Sequence, residues 1–247
     1  MYRGSDGAIY IQGVQSPQSG QGWYQVWKRG RSGSDYSSAC RQIKNSHNNM
    51  PSPIEAFEQL RPIKLEEFKQ QFLIFRREAF RLETLPIYNV PSEATYIERY
   101  DRGEPCPADF NDSWLTTLRN AKANGKRFTR VRFVSGGVIT PYLRFEAEWG
   151  YKRNMQAGEE IVVLQSASLA PYVDDVPILS DFWLFDDNCF IMYYDSVGRF
   201  LGVQRVPPSL VGAYLSLSQK LVASSTPFTE NVLAGLYSSA FFGHEVK

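Results

Sequence analysis

The sequence predicts an α/β or α+β domain, a mixed sheet flanked by helices. Three observations lead there. A chain of 247 residues that is 43% hydrophobic and 14% aromatic can bury a core without disulfide or metal staples. Segments with apolar spacings of three and four alternate with segments of period two, in the order helices, strand, helix, strand, strands, helix. Composition also changes near residue 53, because Gly, Ser, Gln and Asn fill 25 of the first 53 positions.

Residues 1–53 are expected to form an arm, with six basic residues against only Asp6 and Asp35 and too little apolar surface to order by itself. Within it AIYIQ and WYQVW alternate, so a small hairpin is the alternative. A single domain, residues 54–230, follows, and residues 231–247 form a tail. Its first helix is expected from Leu65 to Pro86, since Leu65, Phe68, Phe72, Phe75, Ala79 and Leu82 make one apolar stripe. On it, Glu78 and Glu83 are expected to be solvated or paired with Arg81 and Arg77. A second helix covers Ser92 to about Tyr100. A third runs from an N-cap at Ser113 to Asn124, with Gly125 beyond its end. KRFTRVRFV alternates cationic and apolar residues as a half-buried strand does, and Ser135-Gly136-Gly137 is a turn. Thr140 and Pro141 suit N-cap and N1 of a helix from Tyr142 to about Arg153. EEIVVLQ is a buried strand. DFWLFDDNCFIMYYDSVGRFLGVQRV supplies two or three strands, with turns at Asp187-Asn188 and Ser196-Val197-Gly198. Leu210 to Ser224 closes the domain as a helix.

The formal net charge is +1, which removes any global electrostatic case for a dedicated nucleic-acid or anionic-membrane binder. The neutral total hides two blocks. Ser113–Phe145 holds seven cations and no acid, and Asn154–Gly198 holds eight acids and no Lys or Arg. Pairing of Arg130 and Arg132 with Asp181 and Asp186 across one sheet would neutralise them, at ~0.2–1 kcal/mol per pair. The other reading makes the cations an anion-facing surface. No run of about 18 apolar residues and no secretory signal occurs. Cys40, Cys106 and Cys189 are odd in number and far apart, which suits neither a disulfide framework nor a zinc site, so a cytoplasmic protein is expected.

The candidate binding site lies in VRFVSGGVITPYLRFE, where a strand, a glycine pair and a helix start follow one another. Arg130, Arg132, Ser135, Gly136, Gly137 and Arg144 would there offer guanidinium groups and free N–H donors to a small anion. An alternative acidic site uses Asp186 and Asp195, although strand alternation sends Asp186 and Asp187 to opposite faces and no metal or other cofactor is implied. Phe182, Trp183, Phe185, Phe190, Tyr193 and Tyr194 suit a core better than a base-stacking platform. The two histidines, His47 and His244, lie outside the expected sheet, and no nucleophile, zinc or dinucleotide motif is present, which points away from catalysis.

RREAFRLETLPIYNVPSE, WLTTLRNAKANGKRFTRVRFVS, PYLRFEAEWGYKRNMQAGEEIVVL, DFWLFDDNCFIMYYDSVGRFLG and ASSTPFTE resemble, in order, a bacterial family of unknown function often encoded beside helix-turn-helix regulators of the WhiJ type. The FWLFDD strand, the hairpin bearing YYD, the GRFLG strand and the closing helix are also similar to a phospholipase-D-like module. Active enzymes of that kind use an H-x-K motif that this chain lacks. The resemblance implies a non-catalytic accessory or sensor protein that binds a helix-turn-helix regulator or a small anionic ligand. The alternative is the toxin of a toxin-antitoxin pair, acting on nucleic acid or nucleotide.

Overall fold

The computed structural model describes residues 2–3, 9–12, 23–26, 62–135, 139–229, 231–232 and 234–235. In the Gly/Ser-rich region the strands β1 (Tyr2–Arg3), β2 (Ile9–Gln12) and β3 (Trp23–Val26) pair antiparallel in a sheet of their own. The main body is a mixed seven-stranded sheet flanked by helices, as the alternation of periods predicts.

The first helix, α1, is shorter than its apolar stripe suggests: it spans Leu65–Ile74, and Glu78–Glu83 is strand β4. The Asp186 carboxylate ends the helix by accepting from the backbone N–H groups of Arg76, Arg77 and Glu78 at 2.6, 2.9 and 3.1 Å. Ala79 and Leu82, taken as one helical face, are both fully buried but on opposite faces of the sheet. A strand buried on both sides offers each of them more contact than one helical stripe could.

After a 3-10 turn at Pro91–Glu93, α2 spans Ala94–Asp101 and α3 Asp112–Ala123, with Gly125 at φ +68 beyond its end as expected. Strand β5, Arg127–Ser135, is buried at every position between its two ends and so is not half-buried. Thr140 caps the next helix, its Oγ1 accepting from Leu143 N at 3.1 Å, with Pro141 at N1. That helix, α4, runs through an α segment Pro141–Phe145, a π-helical turn Glu146–Tyr151 and a second α segment Lys152–Ala157. It leads into β6 (Glu159–Ser166), which lies parallel to β5 as β5 lies to β4. β7 (Phe182–Phe185), β8 (Asn188–Tyr194) and β9 (Phe200–Arg205) continue the other side as an antiparallel meander. Helix α5 (Pro208–Ala223) and the short strand β10 (Thr226–Pro227) complete a strand order β10-β6-β5-β4-β7-β8-β9. Among the described residues no helix is long and apolar enough to cross a membrane.

Period two divides the sheet into two unlike faces. On one, Phe80, Leu82, Val131, Leu184 and Ile191 pack against Val211, Tyr214, Leu217 and Leu221 of α5 in an apolar core. The other face is covered by α1, α3 and α4, and it holds two apolar clusters with a charged region between them.

Candidate functional site

Alternation on β4 and β5 explains where that charge comes from. The residues that follow Phe80 and Leu82 are Arg81 and Glu83, and Val131 lies between Arg130 and Arg132. Register pairs Arg81 with Arg130 and Glu83 with Arg132. Four ionisable side chains therefore point into the covered side of a sheet, where charge survives only when paired.

Glu83, fully buried, is their common anion. Arg81 Nη2 lies 2.5 Å from it and Arg130 Nη1 3.1 Å, and the Tyr151 hydroxyl donates to it at 3.2 Å. Arg130 also bonds Glu159, the first residue of β6, at 2.9 Å. Burial opposes charge on Glu83, but Arg130, Arg81 and Arg132 outweigh it and hold the carboxyl at about 2. Arg132 differs. Its nearest carboxylate oxygen, on Glu83, is 3.8 Å away, beyond hydrogen-bond reach, and all three of its guanidinium nitrogens are buried without a partner. The Tyr88 ring lies 5.3 Å beneath it.

The π-helical turn supplies the facing wall. With one extra residue per turn, Glu146 and Tyr151 share one side, and the Tyr151 hydroxyl reaches Glu146 at 3.1 Å. Burial, then the charge of Glu83, pushes the Glu146 carboxyl up to about 7, against the pull of Arg132 and Arg130. Glu93 and Asp181 are raised as well, chiefly by burial. Asp181 accepts from Thr84 N and from the hydroxyls of Thr84 and Tyr88.

Between these groups lies a cavity of about 350 Å³, at the lower end of small-molecule sites. Arg81, Arg130, Glu93 and Glu146 give it a charged floor and wall. Phe72, Trp114, Tyr142, Phe145, Trp183 and Tyr194 surround it with rings, and Leu65, Val90 and Phe200 contribute exposed or half-exposed apolar surface. Besides Arg132, two buried atoms next to this space lack a partner: Trp114 Nε1 and Asn154 Oδ1, both on residues lining the cavity. Among the described residues no cluster of His, Cys, Asp and Glu is arranged to hold a metal ion.

Of the residues expected to bind an anion, Arg130 lines this cavity and Arg132 lies behind Tyr88. Ser135 is exposed at the end of β5, its hydroxyl directed to Ala167 O at 3.4 Å, and Arg144 lies on the exposed side of α4 in a separate depression with Glu148 and Trp149. The six are thus not gathered in one place, because the helix turns Arg144 away from the sheet. Gly136 and Gly137 lie outside the described residues, as do Cys40, His47 and His244. The expected partnering also differs: Arg130 pairs with Glu83 and Glu159, not with Asp181 or Asp186. Asp186 and Asp195 do not form a joint site. They flank opposite ends of β8, Asp186 before it holding the 76–78 backbone and Asp195 after it accepting from Val197 N, Arg199 N and Arg199 Nε. The predicted aromatic run is mostly core, with Phe182, Phe185 and Phe190 almost fully buried.

Arg81, Glu83, Glu146, Tyr151 and Asn154 were not predicted as site residues. REAFRLE carries the period-two signal that would have exposed the first two, but it sits at the end of a longer helical stripe. Gly150, in the interior of a helix, is the only sequence hint of the cavity beside the other three.

Residues 66–232 match the model of a domain of unknown function, DUF6879, and the chain belongs to that family. The match contains every charged residue of the cavity. No curated protein matches the chain. Among solved structures it is similar to a phospholipase D family member, Nuc from Salmonella typhimurium, at 10% identity over 64% of this chain and 86% of that one, with a TM-score of 0.38. So loose a superposition says nothing of activity.

Proposed function

We propose that this chain is a sensor domain that binds a small anionic ligand in the cavity above Arg81 and Arg130, without turning it over. One observation carries this: the surplus of buried donors around Arg132. Three guanidinium groups converge there, Glu83 and Glu159 answer two of them, and the three nitrogens of Arg132 have no acceptor. Arg132 does not line the cavity and its ion pair with Glu83 is long, so it adds to the positive field at Arg81 and Arg130 that an arriving anion would meet. The raised carboxyls of Glu93 and Glu146 support the reading, since burial makes each a weaker counter-charge to that field.

The test is a thermal-shift and calorimetric titration with small organic carboxylates and phosphate esters at two salt concentrations. An anion that raises the melting temperature of the wild type but binds Arg81→Met at least tenfold more weakly supports the proposal. Failure of every anion to bind sinks it. A helix-turn-helix regulator as downstream partner and a cytoplasmic site of action belong to the same proposal, and co-purification from the native cell with and without the anion tests them.

A second reading, a toxin-like effector acting on nucleotide or nucleic acid, has one observation in its favour. Glu83 and Glu146 face the same arginines with carboxyls driven to opposite ends of the range, a pattern used for acid–base work. Growth arrest on expression alone, relieved by Glu146→Gln, would select it.

A further inference from the structure

We propose that the ligand is a heteroaromatic anion, a flat ring whose edge offers both a hydrogen-bond acceptor and a donor, and that Trp114, Asn154 and Gly150 read the ring. This rests on the anion-binding reading above and adds the chemistry of the ligand's other end.

The polar atoms of the cavity wall are mostly satisfied within the protein. Tyr142 OH donates to Glu93 at 3.0 Å, Tyr151 OH lies between Glu83 and Glu146 at 3.2 and 3.1 Å, and Tyr88 OH donates to Asp181. Trp114 Nε1 and Asn154 Oδ1 are not, although both are buried. A buried donor or acceptor without a partner is costly, so a ligand that reaches these two, on residues lining the cavity, relieves that cost. Indole N–H can only donate, and Oδ1 can only accept. The complementary group therefore presents one acceptor and one donor, as the edge of a nitrogen heterocycle does. Helices α3 and α4, which carry the two residues, pack against each other, and both residues line the same cavity.

Gly150 supplies the room. It is buried and lines the cavity, yet a Cβ placed on it would find no atom within 4 Å. Its φ is not positive and no neighbour crowds it, so neither backbone geometry nor packing requires glycine in this helix, where it is less favourable than alanine. The empty volume beside it is bounded by aromatic rings, which suits a flat ring better than an aliphatic chain.

Two matched pairs of probes test this on the full chain: orotate against benzoate, and uridine 5′-monophosphate against phenyl phosphate. Each pair keeps the anionic group and removes the hydrogen-bonding edge; the second pair removes the ribose as well, so the first isolates the ring. Calorimetry should give the heteroaromatic member at least tenfold tighter binding in each pair. Trp114→Phe and Asn154→Leu should each reduce that preference about fivefold, weakening the heteroaromatic member more than its partner. Gly150→Leu should abolish binding of all four. Gly150→Ala, which any helix tolerates, should raise the melting temperature while weakening the heteroaromatic probes. Equal affinities within both pairs would overturn the ring assignment and leave the anion reading in place. A heteroaromatic preference that survives Gly150→Leu places the ring elsewhere and overturns the assignment too. Binding by none of the four overturns both.

Discussion

Glu83 and Arg132 are register partners on neighbouring parallel strands, and their side chains stop 3.8 Å apart, too far for a hydrogen bond. Glu83 is spent on Arg81, Arg130 and Tyr151, so Arg132 is buried beside an anion already occupied.

The two partners should therefore respond differently to removal. Glu83→Gln takes away the charge that Arg81 and Arg130 share, and breaking a buried pair in this way costs about 3–5 kcal/mol. Arg132→Leu removes a buried cation that makes no hydrogen bond and only a long ion pair with Glu83, and should change stability by less than about 1 kcal/mol, or increase it, while weakening anion binding. Urea unfolding of the two variants measures this, and equal losses would make Arg132 a structural residue.

Stability should fall between pH 4.5 and 7. The Glu146 carboxyl keeps its proton to about 7 in the folded chain, against an ordinary value of 4.5. The folded state therefore holds an extra proton in that window, and the advantage present below it is lost as pH rises. A shift of that size corresponds to about 3 kcal/mol. Glu93 and Asp181, also raised by burial, add to the slope. Glu83 works in the other direction: it stabilises above 4.5, and that contribution disappears as pH drops towards 2. Glu146→Gln should flatten the slope between pH 5 and 7 in a series of urea midpoints, leaving the loss below pH 4 intact.

Asp186 holds the junction between α1 and β4 through three backbone N–H bonds, and it does so from φ +51. Asp186→Ala loses the three bonds and leaves the Cβ in the left-handed region without the carboxylate contacts that offset it, a loss of about 3 kcal/mol. Asp186→Asn keeps an acceptor and tolerates that backbone, so it should lose less than half as much. Neither change should alter anion affinity, and calorimetry showing otherwise would revive Asp186 as a site residue.

Glycine at position 198 is required by its surroundings. At φ +79 it donates to Asp195 O at 3.0 Å, and its own carbonyl accepts from Asn89 N at 2.9 Å. A Cβ there would lie within 2.4 Å of the Ile87 carbonyl oxygen. Gly198→Ala should lower the melting temperature by several degrees and detach the β8–β9 turn from the 87–89 segment, which amide hydrogen exchange at Asn89 would register.

A chain that starts at Pro53 should melt within a few degrees of the full chain, since the polar arm has little apolar surface to contribute. Loss of cooperative folding would make the sheet of β1, β2 and β3 part of the core.

Much of this architecture was legible because each face of the sheet writes its own period into the chain. EEIVVLQ, FWLFDD and the capped helix at Thr140-Pro141 were recognisable for that reason. β4 was not, because Phe75, Ala79 and Leu82 continue the spacing of α1 by coincidence, and the hydrogen bonds that stop the helix come from Asp186, about 110 residues away in sequence. The site was half legible. Arg130 and Arg132 stood out as cations in a strand, but a strand pattern does not say whether a charged face meets water or a covering helix. Nor could the sequence disclose that EAEWGY winds as a π turn, which is what brings Glu146 and Tyr151 to the same side.

That turn has an evolutionary corollary. A π turn is an α turn with one residue too many, so the wall of this cavity depends on a single codon. Deleting one residue between Glu146 and Tyr151 would restore regular winding and rotate every side chain on one flank by about 100° relative to the other. The sheet and its apolar α5 side would be untouched, while the cavity would lose its register. A homologue with the shorter helix could keep this fold and lack this pocket.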